Sequence, residues 1–344
     1  MGLYLDSGYV NMEYIMKKST TFNFVVGGRG TGKTYTTIKT LVEKKEKFIF
    51  MRRTQTQLDN VCTRDLSPFK PINQDLHLNI EPISVGKNTY KFCHTDIDEN
   101  DNRIIGDTVA YAIALSTVSN LRGFSVADAN YLVYDEFIPE RHERPLKEEC
   151  LAFLNCIETI NRNRELQGYK PLKVICLANA NDFANPIFVG LQLVRTVENM
   201  LEKQKQEYIN PQRSIAVYML TDSPISLQKA NTALYRLKNR DFSDMAIKNI
   251  FANFDDDNIK PLDLKQYKPK FGIGELCFYE HKSIPGDYYI CGHFSGTIPL
   301  YPPTREGANN LRYKHRAILA KVLLGQMHYE THFDRALLEK YLTI

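Results

Sequence analysis

The amino-acid sequence predicts an α/β protein: a large N-terminal domain on a mainly parallel sheet, then a small α+β domain. Three observations carry this. Apolar runs at 21–26 (TFNFVV), 47–51 (KFIFM), 108–116 (TVAYAIALS), 131–134 (YLVY), 172–177 (LKVICL) and 214–220 (SIAVYML) are separated by polar or amphipathic stretches, the pattern of buried parallel strands alternating with helices. Residues 27–34 read GGRGTGKT and match the phosphate-loop pattern GxxxxGK[ST] at every fixed position. Near Thr221 the composition turns polar and basic, and 344 residues exceed the length over which one core usually keeps growing.

Taken in order, 21–26 is the strand entering the loop, and 35–45 continue as a helix with Ile38, Leu41 and Val42 on one face. Gly27, Gly28, Gly30 and Gly32 let backbone N–H groups converge on phosphate, with Arg29 and Thr31 completing the loop. Lys33 is placed for the β- and γ-phosphates of ATP and the Thr34 hydroxyl for Mg²⁺. Arg29 either touches phosphate in its own subunit or is a solvated loop residue. The second strand delivers Arg52 and Arg53 at its end, followed by TQTQ, a group that suits a solvated face more readily than a grip on DNA phosphates. Segments 78–85 and 89–93, joined by Gly86-Lys87-Asn88, predict a hairpin beside the main sheet. Apolar residues at 151, 154, 157 and 160 predict an amphipathic helix over 146–164.

The expected division is a nucleotide-binding domain over 1–200, its last strand reaching about 221, a linker region over 201–228 and a C-terminal domain over 229–344. In the last, 275–281 and 287–294 predict a hairpin, and 311–324 and 332–341 predict helices.

Hydrolysis needs a second motif, and Leu132-Val133-Tyr134-Asp135-Glu136 supplies it. Asp135, ending a buried strand, is placed to hold Mg²⁺, and Glu136 to polarise the attacking water. A glutamate directly after the aspartate marks phosphate-loop hydrolases with an added strand between the loop strand and the acidic strand. Asn179, after the strand 172–177, suits sensing the γ-phosphate or, equally, forming a turn. Arg162 and Arg164, in INRNRE, suit either a transition-state finger or favourable charge at a helix C-terminus. Arg122, in NLRGF, is a weaker second candidate.

A net charge of +4 permits nucleic acid without demanding it. Seven cysteines with no CxxC pair suit buried thiols in a reducing cytoplasm. No apolar run approaches the roughly 18 residues of a membrane span, so no membrane partner is expected. No helix-turn-helix or zinc-finger spacing is present, which leaves backbone contacts from groups such as Lys229, Arg236, Lys238 and Arg240, ahead of the acidic run 255–257, a cluster that taken alone suits a solvated face better. A GTPase switch would require a base-reading NKxD, which the sequence lacks.

Together, GGRGTGKT, YLVYDEF, TINRNRE and VICLANAND resemble the DNA-packaging motor ATPases of small short-tailed phages, akin to the FtsK/HerA branch of additional-strand (ASCE) P-loop ATPases. The resemblance implies an ATPase domain joined to a C-terminal domain of RNase H-like nuclease ancestry that has lost cleavage. It implies a homopentameric ring that drives double-stranded DNA through the procapsid portal in the host cytoplasm, held there by a packaging RNA. It assigns Lys33 and Thr34 to ATP and Mg²⁺, Asp135 and Glu136 to hydrolysis, Arg162 to a finger acting on the neighbouring subunit, and Arg122 to a second basic contact. Where the family's pore loop would carry a basic residue, this chain has Gln55. A terminase-like enzyme that also cuts DNA is the alternative.

Overall fold

The structure, a computed structural model, describes residues 2–121, 126, 128–140, 143, 146–162, 164–221, 223–229, 232 and 258–343. Arg122, the basic residues at 236, 238 and 240, and the acidic run 255–257 lie outside the described residues. The chain divides into two compact units: Met1–Asp182 with Asn199–Ala252, and Phe183–Glu198 with Asn253–Ile344.

In the first unit nine strands form one sheet. They are β1 (Phe22–Gly27), β2 (Phe48–Arg52), β3 (Ile80–Gly86), β4 (Thr89–Ile97), β5 (Arg103–Ala114), β6 (Tyr131–Asp135), β7 (Lys173–Ala178), β8 (Glu207–Asn210) and β9 (Ile215–Leu220). Their spatial order is β3-β4-β5-β2-β6-β7-β1-β9-β8. From β5 across to β9 every pairing is parallel; β3, β4 and β8 add antiparallel edges. Because the central strands are covered on both faces, they read as continuous apolar runs rather than alternating ones.

Side chains still alternate between the two faces. On one face Val25, Val133, Ile175 and Tyr218 join Ile38 and Leu41 of the helix α2 (Lys33–Glu43) in one apolar cluster, with the short helix α1 (Met12–Met16) contributing Met12, Ile15 and Met16. Farther along that face, helices α3 (Gln55–Val61) and α4 (Lys70–Leu76) supply Leu58 and Ile72, and Phe69 stacks on Phe48. On the other face Tyr134 meets Phe137 and Phe153, the latter on α5 (Glu149–Asn161). Parallel strands end on one rim, so Gly27, Arg52, Asp135 and Ala178 come to the same edge of the sheet, where α/β proteins bind ligands.

The expected hairpin is not set beside the main sheet but extends it as β3 and β4, with Asn88 in the turn at φ 66°. Within the region expected as a linker, 201–228, β9 is the expected last strand of the first sheet and β8 adds a further edge strand, and 183–198 group instead with the C-terminal unit. The short strand EYIN at β8 has too few apolar residues to announce itself.

The second unit carries β10 (Tyr267–Ile273), β11 (Leu276–His281), β12 (Tyr288–Cys291), β13 (Leu300–Tyr301) and β14 (His328–Tyr329), ordered β13-β10-β11-β12-β14. An antiparallel meander thus has a short parallel strand on each side. Its core joins Phe271, Ile273, Phe278 and Ile290 to Leu311 and Leu338 of the helices. The single helix expected over 311–324 is two, Arg305–Lys314 and Arg316–Leu323. His315 breaks it at φ −123°, its ring stacked 3.7 Å from that of Phe271. No helix among the described residues is long and apolar enough to cross a membrane.

Candidate nucleotide site

The loop from β1 to α2 requires its glycines for identifiable reasons. A Cβ on Gly27 would lie 2.5 Å from Leu220 Cβ on neighbouring β9. Gly32, the N-cap of α2, sits at φ 82°, in the left-handed region that costs other residues. The first turn of α2 has no acidic side chain, so its N-terminal potential stays positive. Lys33 is 8% exposed, and its Nζ donates to Gly27 O at 2.9 Å, Gly28 O at 2.7 Å and Asn179 Oδ1 at 3.3 Å. Asn179, one residue past β7, is thereby tied to the loop.

On the β6 side, Thr34 Oγ1 donates to Asp135 Oδ1 at 2.8 Å. A hydroxyl and a carboxylate held this close form a hard oxygen pair of the kind Mg²⁺ takes, so these residues fit that ion. Arg52 Nη1 bridges the two acids, 3.1 Å from Asp135 Oδ2 and 2.8 Å from Glu136 Oε2. Glu136 stands at φ 57°, a strained position for a residue with a side chain. Surrounding protein holds its carboxyl above the ordinary glutamate range even though 48% of the side chain is accessible; Asp135 and Glu140 push the same way, and Arg52 and Arg29 oppose them. Arg29 pairs with Glu140, which links the phosphate loop to the segment after β6.

Arg52 and Arg53 are not a DNA-gripping pair. Arg52 is the last residue of β2 and Arg53 the one after it, and their side chains go to different partners. Arg52 faces the acids at the site. Arg53 is 1% exposed and sits in a buried ion pair, Nε donating to Glu149 Oε1 at 2.7 Å and Nη1 to Glu143 Oε2 at 3.1 Å. The TQTQ that follows is a helix start: Thr54 and Gln57 form a reciprocal capping box on α3, and Gln55 bonds Asp59 and Thr117. Sequence reasoning missed Arg52 as a site residue. The available signal was its place at the end of a strand that the structure sets next to β6.

Arg162 follows the last residue of α5 at φ 45°, exposed, its Nε donating to Thr159 O at 3.2 Å. Arg164 is structural: it donates to Ala129 O at 2.6 Å and Asn130 Oδ1 at 2.8 Å, just before β6 begins. These contacts put the INRNRE segment at the rim where β6 starts, whereas Asp135 lies where it ends. At about 3.3 Å per residue, that strand alone spans roughly 16 Å.

The order β6-β7-β1, with the acidic pair at the end of β6 and the loop after β1, defines a phosphate-loop protein of the class with an added strand between the two. Residues 5–261 match the family model of the Podovirus DNA encapsidation protein (Gp16), and the chain belongs to that family. It is 28% identical over 194 residues to the DNA packaging protein of Bacillus phage phi29, covering 55% of this chain and 52% of that protein. With the DNA packaging protein of Bacillus phage B103 it shares 28% over 240 residues, 68% of this chain and 65% of that one. The chain thus spans between half and two-thirds of the length of these relatives. Among solved structures, the Phi-28 gp11 DNA packaging motor superposes with a TM-score of 0.67 at 21% identity over 98% of each chain. The bacteriophage Phi-29 genome packaging motor assembly gives 0.61 at 17% identity, over 99% of this chain and 100% of that one. Both show the same fold.

Proposed function

We propose that the protein is an ATPase that drives double-stranded DNA into a viral procapsid, working as a homo-oligomeric ring, pentameric as in the resemblance above, at the portal with a packaging RNA. The observation that carries this reading is the linked set Lys33–Asn179 and Thr34–Asp135–Arg52–Glu136 at the ends of four adjacent strands, β2, β6, β7 and β1, in a chain of the encapsidation family. In it, Lys33 and the loop N–H groups hold the triphosphate, and Asn179 orients the γ-phosphate end. Thr34 and Asp135 would hold Mg²⁺, which would neutralise negative charge on the triphosphate. Glu136 takes a proton from the attacking water, and its raised pKa suits it to that task.

Arg162 serves the site of a neighbouring subunit. Its exposure, its strained backbone and its position at the strand-start rim favour a role outside its own site. Arg122 is the second basic contact. Residues 229–344 are the nucleic-acid-binding domain, and the mixed sheet there is compatible with RNase H-like ancestry. ATPase rate measured against protein concentration, with and without duplex DNA, tests the whole reading. Specific activity should rise with concentration as rings form, and rise further with DNA. Activity independent of both would refute a ring translocase.

A further inference from the structure

The N-terminal residues fold into a tight strap beside the phosphate loop. Asn11 N donates to Leu3 O at 2.8 Å, Leu5 N to Tyr9 O at 2.8 Å and Val10 N to Thr31 O at 3.0 Å, so the strap is hydrogen-bonded to the loop itself. Leu3 and Val10 anchor it in the apolar cluster, and Ser223 Oγ, just past β9, donates to Gly8 O at 3.2 Å. This places Tyr9 directly against Gly32: a Cβ there would lie 2.8 Å from Tyr9 Cγ and Cδ1. Tyr9 is only partly buried, and its ring stands 6.1 Å from that of Tyr35, the first residue after the loop motif, with the two planes tilted by 56°. Tyr35 is braced from behind by Asp75 and by Lys39.

The direction of a bound triphosphate follows from the sheet order. Asp135, Glu136 and Asn179 lie on the β6 and β7 side of β1, so the γ-phosphate points that way. The strap is fastened to the end of β9, on the opposite side of β1. The α-phosphate, and the nucleoside it carries, must therefore leave the loop toward the strap. There the two tyrosines stand. We propose that Tyr9, with Tyr35 beside it, is the aromatic platform on which the nucleobase of the bound nucleoside triphosphate stacks. It is a binding residue that lies outside the phosphate-loop motif. This inference rests on the nucleotide reading above, and it concerns the base end of the same site.

The test compares two probes that share the phosphates and differ in the base: Mg²⁺-ATP and Mg²⁺-tripolyphosphate, titrated calorimetrically into wild type, Tyr9→Ala and Tyr9→Phe. Aromatic stacking of a base implies a loss of roughly 5- to 150-fold in ATP affinity for Tyr9→Ala. Tripolyphosphate affinity should stay unchanged, and Tyr9→Phe should restore ATP binding. In turnover, KM should rise while kcat at saturation holds. Equal weakening of both probes would mean that the ring only shapes the loop, and would overturn the proposal. So would ATP binding that ignores the substitution. Failure of wild type to bind either probe would instead refute the nucleotide reading, and the base platform with it.

Discussion

The buried pair Arg53–Glu149 provides a direct test of how the site is braced, because sequence and structure assign Arg53 opposite roles. Both side chains are essentially inaccessible, 1% and 0% exposed, and Glu149 also accepts from Tyr134 Oη at 3.4 Å and from Leu146 N at 2.9 Å. Replacing Arg53 by Met leaves a carboxylate in the interior with two neutral donors. Breaking such a pair typically costs about 3–5 kcal/mol. For a unit of this size that corresponds to a fall of about 6–20 °C in Tm. The double variant Arg53→Met with Glu149→Leu removes both charges and should recover most of the loss. It leaves the Tyr134 hydroxyl and Leu146 N–H without this acceptor, so a deficit of about 1–2 kcal/mol should persist. Arg64, 80% exposed in its pair with Glu81, is the internal control, and Arg64→Ala should cost no more than about 1 kcal/mol. Urea unfolding of wild type, Arg53→Met, the double variant and Arg64→Ala measures these costs side by side. A single-variant cost as small as the control's, or no recovery in the double variant, would refute the reasoning. The alternative role has its own signature: a DNA-phosphate contact at Arg53 would lower the salt slope of DNA binding by about one in the double variant, whereas the buried pair predicts no change.

Glu136→Gln should retain ATP binding but hydrolyse about 10²- to 10⁴-fold more slowly, read in single-turnover assays; near-normal turnover would move the base elsewhere. Since the folded state raises the Glu136 pKa, the fold prefers its neutral form, and the group's contribution to stability is lost as pH rises through the folded value. The Gln variant should therefore melt above wild type at pH 7–8, with the gap closing in acid; a lower Tm at neutral pH would contradict this. Arg52→Ala removes the largest opposing charge, so the acid limb of its pH–rate profile should shift upward, and an unmoved limb would detach Arg52 from Glu136. Arg162→Ala should lose about 10³- to 10⁵-fold in rate. Mixed with Lys33→Ala it should regain part of the activity, because mixed rings pair an intact finger with an intact loop. No recovery in rings shown to be mixed would return Arg162 to its own subunit.

Much of the first unit was legible because its strands are buried on both faces and therefore read as uninterrupted apolar runs. The loop between β1 and α2 was legible for a different reason: a phosphate-binding turn needs glycines at fixed places, and no other residues substitute for them. Elements that depend on long-range pairing were not legible. β10 reads YKPKFGI, with a proline and two lysines, and its pairing with β11 shifts register between Pro269 and Phe271. β13, its other neighbour, reaches only Gly272 and Ile273, so Pro269 lies where the strand has a free side for a residue with no N–H. Local sequence cannot show that a neighbour is two residues long.

The arginines mark the sharper limit. Residue type says that Arg52, Arg53, Arg162 and Arg164 seek anions or carbonyls, but each consecutive or near-consecutive pair splits between two fates. In the first pair the split follows from the strand's period of two, and which arginine faces the acids depends on register: Met51 lies opposite Tyr134, so Arg52 comes level with Asp135. A slip of one residue would put Arg53 on Asp135 and Glu136 and carry Arg52 toward Glu149. In the second pair the split follows from the end of a helix. Arg164 is drawn back to the carbonyl of Ala129, while Arg162, two residues earlier, is released at a positive φ. Both decisions are made by β6, which follows β2 and precedes α5 in the chain. The function of these side chains is therefore set by tertiary register, and a motif can name the chemistry they seek without saying which of each pair performs it.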